Sequence, residues 1–490
     1  GGGGGGGDSG ATRDREARTL ERARSFKKLI KDKSTRDWLT VQMVPELEEV
    51  EGEVERVSEE GSGEESPAVE GVEVGGTDAD ERKEDAEERV GGAEERKGDT
   101  PSASAPITSP SSPLPSAGSA LLPKASVVPP RSAVTGDPLA GLTWDQQSKM
   151  VQDVASWEFD IFDLHLRASY ASLRLVMHAA IDALGLRSPL GLPLARVDAC
   201  MTHVAKHYSD SVIGHASSNP YHTDIHAADV TQCCFHMLVS HTLFREGFTA
   251  REKFALLFGA AIHDFRHKGV SNAFLTNTQH QVAVLYNDRS VLENMSVAEA
   301  FHLMRRPEFN LTGEWARASL IKFRKLVVDV VLATDLAMHF DYAGRFKVKH
   351  SSLSWEEEGD RHLVMAIILK AADICHPAKP WELHKRWSAR ITEEFFRQGD
   401  RERELGLNVS PLCDRTAVKL PKSQLGFIGF LVKPMFEHLC DMLDTQQYLD
   451  YIESNEKEWQ RQADEMEAAA AHEAERHSQA QDGNDGAETK

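Results

Sequence analysis

Cysteine is scarce in this chain of 490 residues. There are six, and none forms a C-x-x-C pair. Their spacing gives no disulfide framework, so free thiols in a reducing, cytoplasmic setting are expected. Long apolar runs are also missing: no stretch reaches the roughly 18 residues that a transmembrane helix needs. A positive charge balance is missing too, since 56 Lys and Arg face 77 Asp and Glu for a net charge of −21. That balance argues against general nucleic-acid binding. The chain opens on seven glycines rather than on Met and an apolar stretch. This is not the pattern of a signal peptide, and it fits a fragment of a longer chain.

The acidity is confined. Residues 46–99 hold 22 acids against 6 bases, and the rest of the chain is near balance. The charge therefore describes a linker rather than a binding face. Residues 100–137 are rich in Pro, Ser and Ala. Neither stretch has the apolar periodicity to fold alone, and residues 46–140 are expected to be a disordered linker. Residues 1–45 precede it as a basic segment. Within it Phe26, Leu29 and Ile30 are spaced i, i+3, i+4 among Arg and Lys, one face of a short amphipathic helix. After residue 460 the chain turns to Ala, Glu and Gln. Residues 461–490 are expected as a polar tail, either a frayed helix or disordered.

Between these flanks, at 141–460, strand-like alternation is scarce and helical periodicity dominates. Phe254, Leu257, Phe258, Ala261 and Ile262 make one apolar stripe, and Leu363, Val364, Ile367, Ile368 and Ala371 make another. Leu326 to Met338 reads as a third apolar helix. The pattern predicts an all-α domain, with order beginning near Trp144 and Trp157.

Nine of the 21 histidines fall within residues 203–267. A lone His is more often a satisfied core residue than a ligand. Here, however, His222-x-x-x-His226 is followed by His263-Asp264-x-x-His267, and Asp373 closes a long apolar helix. An unpaired carboxylate at the end of a buried helix is costly, and a cation removes the cost. His226, His263, Asp264 and Asp373 supply two imidazoles and two carboxylates, a good set for Zn²⁺ with positions left for water. Asp264 is placed to bridge to a harder ion such as Mg²⁺ or Mn²⁺. Two such ions suit a phosphoryl displacement.

These motifs, Tyr221-His222-x-x-x-His226-Ala227-Ala228-Asp229, His263-Asp264-x-x-His267 and Ala371-Ala372-Asp373-Ile374, resemble those of the class I cyclic nucleotide phosphodiesterases, an HD-superfamily fold. The likeness continues through Tyr286 to Asn294, Ala333-Thr334-Asp335 and Ser423-Gln424-Leu425-Gly426-Phe427, and covers residues 144–450. Asp373 to Trp381, Glu394 to Asp400, and Ser410 to Arg415 are most similar to the calcium/calmodulin-dependent branch. The resemblance implies a single large multi-helix catalytic domain that hydrolyses 3',5'-cyclic nucleotides to 5'-monophosphates. It implies His226, His263, Asp264 and Asp373 as metal ligands and His222 as the acid that protonates the departing O3'. His267, Glu293 and Thr334 are implied around the ions. Gln424 and Phe427 match a purine-binding pair, with His376 and Tyr221 beside them. His376 favours acceptance of both cAMP and cGMP. Thr223, Met295, Arg266 and Lys268 depart from the family pattern without touching an implied ligand. For the N-terminal helix the branch implies Ca²⁺/calmodulin, which grips basic amphipathic helices by apolar anchors. A solvated helix, or one paired with the acidic linker, fits the same residues.

Two rivals remain on the residues alone: another HD-type phosphohydrolase, and a silent nucleotide-binding protein. The Gln424–Phe427 pair disfavours the first, and the complete ligand set disfavours the second.

Overall fold

The computed structural model describes residues 147, 149, 151–168, 171–208 and 218–485. The basic segment at 1–45, the linker at 46–140 and Trp144 lie outside the described residues. Among the described residues every regular element is a helix. The main ones are α1 (Ile161–Arg167), α2 (Ser172–Ala183), α3 (Leu194–Lys206), α4 (Asp224–Ser240), α5 (Ala250–Ile262), α6 (Val291–Leu303), α7 (Arg317–Leu332), α8 (Glu358–Asp373), α9 (Trp381–Glu404), α10 (Leu420–Phe427), α11 (Lys433–Leu443) and α12 (Gln447–Asp485). Shorter helices join them. None is long and apolar enough to cross a membrane.

The centre is built from α4, α5 and α8. Thr249 and Glu252 start α5 with a reciprocal cap: Thr249 Oγ1 accepts from Glu252 N at 3.2 Å, and Glu252 Oε2 accepts from Thr249 N at 2.8 Å. From Phe254 to Ile262 every residue of α5 is buried, so the stripe seen in sequence is a helix enclosed on all sides. It packs on α4, α2 and α7. At Gly259 an added Cβ would lie 3.1 Å from Val330 Cγ2, so the missing side chain sets how closely α5 approaches α7.

Helix α4 is buried from Asp224 to Leu238, and its polar side chains therefore need internal partners. Thr231 Oγ1 donates to Ala227 O at 2.7 Å. Gln232 Nε2 donates to Val154 O and Ser156 O, both at 2.8 Å. Asp229 pairs with the buried Lys379 at 3.0 Å. Removing one partner of such a pair strands a charge in the core, at a cost of about 3–5 kcal/mol.

Three details differ from the sequence pattern or refine it. The helix read over 326–338 stops at Leu332; Asp335 is extended and its carboxylate accepts from Ala337 N at 3.0 Å, starting a separate short turn. That break brings Thr334 and Asp335 to the cleft described below. Ahead of Pro434 the backbone widens into a π-turn at Ile428–Val432, as suits a residue with no N–H to give. Helix α12 runs unbroken across residue 460 to Asp485, with Trp459 and Ala463 both buried.

Candidate metal centre and substrate cleft

Each expected metal ligand sits at a helix end. Thr223 precedes α4 in an extended conformation, which places His226 in the first turn. His263 and Asp264 follow the last residue of α5, and Asp373 is the last residue of α8. After Asp264 the chain turns sharply: Arg266 and Gly269 both adopt positive φ, of 66° and 71°. His226 Nε2 lies 3.0 Å from Asp373 Oδ1 and 3.7 Å from Asp264 Oδ2. His263 Nε2 lies 3.0 Å from Asp264 Oδ2 and 3.3 Å from Asp373 Oδ1. One atom from each of the four falls within 4.8 Å of every other.

The donor chemistry fits a cation. His263 Nδ1 donates to Ala260 O at 2.9 Å, which leaves Nε2 as the nitrogen facing the two carboxylates and available to a metal once its proton is lost. That Nε2 is buried and has no hydrogen-bond partner. Burial opposes charge on His263, yet Asp264 and Asp373 outweigh it and hold the imidazole well above its usual pKa. Both carboxylates are held below the usual range against their own burial, first by His263. The cluster is thus anionic and poised to exchange a proton for a metal.

His222 stands beside it. Glu394, on α9, accepts from Tyr221 N at 2.9 Å and His222 N at 3.1 Å through Oε2, and from His222 Nδ1 through Oε1. His222 Nε2 is then turned towards Asp264 Oδ2, 3.7 Å away. Burial lowers the His222 pKa, but Glu394 and then Asp264 raise it to about 9. Glu394 is correspondingly held at about 2, despite burial, by His222. His267 stacks on His222 with centroids 3.8 Å apart, and its Nδ1 accepts from Gly269 N at 3.1 Å. Burial and the His222 charge push His267 down to about 4, so it is neutral. Asn219 Nδ2 donates to the carbonyls of His222 and His267, at 3.0 and 3.1 Å, and fixes the two segments together.

These groups floor a cleft of about 1160 Å³, counting its open mouth. Asp264, Asp373, His222 and His267 reach the cleft wall, while His226 and His263 lie beneath it. Glu293 and Thr334 line one side. Burial and then Asp335 push the Glu293 carboxyl up, and Asn272 Nδ2 donates to it at 3.0 Å. Thr334 Oγ1 donates to Val331 O at 2.7 Å, which leaves its oxygen as an acceptor.

The far end of the cleft is aromatic. Gln424 and Phe427 share one face of α10. The His376 ring stacks on Phe427 with centroids 5.4 Å apart at 27°. A relay fixes the His376 tautomer. Trp459 Nε1 donates to His384 Nε2 at 2.6 Å, so His384 carries its proton on Nδ1 and donates to His376 Nδ1 at 2.8 Å. Burial, then His384, hold His376 neutral. Ser388 Oγ donates to His384 O and meets the Gln424 amide, each at 2.9 Å, so the hydroxyl anchors one end of that amide while its other end borders the cleft. Tyr221 lines the cleft, but its ring lies on His226, with centroids 4.5 Å apart.

All the site residues expected from sequence therefore border or underlie one cleft. Glu394, Asn219, Ser388 and His384 were not singled out. Glu394 lay within a segment matched to the family, but nothing local tied it to His222.

The chain was compared with known proteins. Residues 221–452 match the family described as 3'5'-cyclic nucleotide phosphodiesterase. The dual specificity calcium/calmodulin-dependent 3',5'-cyclic nucleotide phosphodiesterase 1C of Mus musculus is 39% identical over 295 residues, 60% of this chain and 40% of that protein. The 1B enzyme of Bos taurus is 39% identical over 298 residues, 60% of this chain and 53% of that protein. A probable 3',5'-cyclic phosphodiesterase of Caenorhabditis elegans, pde-1, is 39% identical over 287 residues, with 59% and 42% covered. The chain thus spans about half the length, or less, of these curated relatives. Among solved structures, the phosphodiesterase domain of the RhoPDE fusion protein from the choanoflagellate Salpingoeca rosetta superposes with a TM-score of 0.59. It is 28% identical and covers 66% of this chain and 99% of that one.

Proposed function

We propose, from the membership of residues 221–452 in the class I 3',5'-cyclic nucleotide phosphodiesterase family, that this chain hydrolyses cAMP and cGMP to the 5'-monophosphates. One observation carries the reading: the two carboxylates of a two-His, two-Asp cluster within 4.8 Å line the same cleft as Gln424 and Phe427.

His226, His263, Asp264 and Asp373 would hold the tight ion, proposed as Zn²⁺, with Asp264 also reaching a second, proposed as Mg²⁺ or Mn²⁺. Bound there, the ions would supply Lewis acidity to the phosphoryl oxygens and acidify water. The chain's own residues do the rest. His222 gives its Nε2 proton to O3' as the P–O3' bond breaks, so the alkoxide never has to form free. Glu394 keeps that proton available by raising the His222 pKa and by fixing Nδ1 as the inward-facing nitrogen. Neutral His267, stacked on His222, limits the ring's rotation without competing for the proton. Phe427, backed by His376, offers a ring face on which the purine stacks, and the Gln424 amide hydrogen-bonds the base edge. Adenine and guanine both offer that amide a partner, which supports use of both nucleotides.

Relatives named as calcium/calmodulin-dependent support a further assignment of Phe26, Leu29 and Ile30 as a calmodulin-binding face. Those residues lie outside the described ones. A cytoplasmic location fits the six free cysteines.

The test is turnover of cAMP and cGMP side by side, before and after chelation, with metals then restored and with Ca²⁺–calmodulin added. Metal-restored turnover of both is expected. Absence of turnover with metals present overturns the reading. Calmodulin-independent rates overturn the regulatory assignment alone.

A further inference from the structure

Two cysteines meet in the core outside the cleft. Cys233 lies on α4, two helical turns beyond His226, and Cys375 lies two residues beyond Asp373. Their sulfur atoms are 3.4 Å apart, and both residues are buried. The surrounding contacts hold them there. Lys379 Nζ binds Asp229 Oδ1 at 3.0 Å and Gln232 Oε1 at 3.2 Å, tying the Cys375 segment to α4. Asn455 Nδ2 donates to Pro377 O and Lys379 O, both at 2.8 Å, from α12.

Asp229 and the two sulfurs could make a three-ligand metal site, since their atoms lie within 4.8 Å. The Lys379 ammonium already neutralises that carboxylate and repels a second cation. Oxidation of the sulfur pair needs no added cation; burial of both thiols makes it slow and dependent on a small oxidant, while the 3.4 Å approach favours closure once one sulfur is oxidised. A disulfide requires an S–S distance of about 2.0 Å, and the two sulfurs come from segments that already face one another.

We propose that Cys233 and Cys375 are a reversible disulfide-forming pair, and that oxidation ties α4 to the segment after α8 and slows turnover in the adjoining cleft. The oxidant is a small peroxide able to enter the core. One sulfur attacks the O–O bond, one water leaves, and a sulfenic acid remains. The second sulfur displaces another water as the S–S bond forms. Two thiols lose two protons and two electrons, and the peroxide becomes two waters. A dithiol reductant reverses the step.

The coupling is geometric. Drawing Cys375 towards α4 moves its neighbours Asp373 and His376 on either side. Asp373 completes the metal cluster, and His376 stacks on Phe427. Small misplacements of reacting groups cost rate steeply.

The experiment treats the purified chain with hydrogen peroxide, caps remaining thiols by alkylation and maps peptides without reduction. Hydrolysis of cAMP and cGMP is followed in parallel. The expected result is a peptide cross-linked between Cys233 and Cys375, two hydrogens lighter than its parts. Turnover falls by roughly ten- to a hundredfold, the upper figure being the cost of a one-ångström misplacement, and dithiothreitol restores it. Cys233→Ala and Cys375→Ala each keep the turnover of the reduced protein and lose the peroxide response. Cys234→Ala keeps both, and it serves as the folded control. A folded, peroxide-treated protein with no such cross-link overturns the proposal, as does a cross-link through Cys234. A cross-linked protein with undiminished turnover overturns the coupling. Should the reduced chain hydrolyse neither nucleotide, the functional reading falls, while the peptide map still decides the disulfide.

Discussion

His222 is useful only if it carries a proton that it can give away. Glu394 meets that need with both oxygens, one on the ring and one on the backbone of residues 221 and 222. The sign of the pH effect follows. In the proposed mechanism activity requires protonated His222, so it is present below the raised pKa and lost as pH rises through it. Glu394→Gln removes the first-ranked charge that raises this pKa, so the alkaline limb of the kcat profile should move to lower pH. The maximum should fall about 10²–10⁴-fold, the usual weight of a general acid. An unmoved limb would show that Glu394 does not tune His222. Asp373→Ala should remove both turnover and tightly held metal, read by elemental analysis; normal metal content with full activity would refute the ligand assignment. Gln424→Ala should raise KM by roughly tenfold, the order of a lost hydrogen bond to a buried amide, with metal content unchanged. A lower metal content would instead tie Gln424 to the centre. The candidate metal ligands were legible because His222-x-x-x-His226 and His263-Asp264-x-x-His267 are local patterns and Asp373 closes an apolar helix, although the cluster itself joins residues as far apart as 226 and 373. Glu394 was not, because it pairs with a residue 172 positions away, and spacing rules carry no information on such a pairing.

At the scale of elements, α5 and α8 were readable from their apolar stripes, although each is more completely buried than a stripe implies. The helix read through Met338 was overextended, since Leu336 and Met338 keep the apolar period after the backbone has left the helix. The break is held by the Asp335 side-chain bond to Ala337 N and by Lys370 Nζ, which donates to Ala333 O and Asp335 O. Helix α9 carries Glu394 and Gln398 on its buried face, and its approach to the 410–413 segment depends on a glycine. A Cβ on Gly399 would lie 2.0 Å from Cys413 O. Because that neighbour is backbone, Gly399→Ala should destabilise the fold by about 1–3 kcal/mol, seen as a lower Tm. Unchanged melting would mean that the 410–413 segment yields freely.

At the scale of the molecule, the proposed cation-binding cluster joins three helices, through His226 on α4, His263 and Asp264 after α5, and Asp373 ending α8. An ion that binds only the folded chain stabilises it by mass action, about 2.7 kcal/mol at a hundredfold excess over Kd. Chelation should therefore lower Tm by several degrees, reversed by added Zn²⁺, and a melting curve indifferent to chelation would deny the cluster that role. The proposed reaction needs that cluster, His222 and the Gln424–Phe427 pair in one cleft. The most direct measurement of this arrangement is cAMP and cGMP hydrolysis in ¹⁸O-labelled water with restored metals. The account predicts 5'-monophosphates carrying one labelled oxygen on phosphorus, because water attacks phosphorus and O3' leaves protonated. Unlabelled phosphate, a 3'-monophosphate, or no product at all would contradict it.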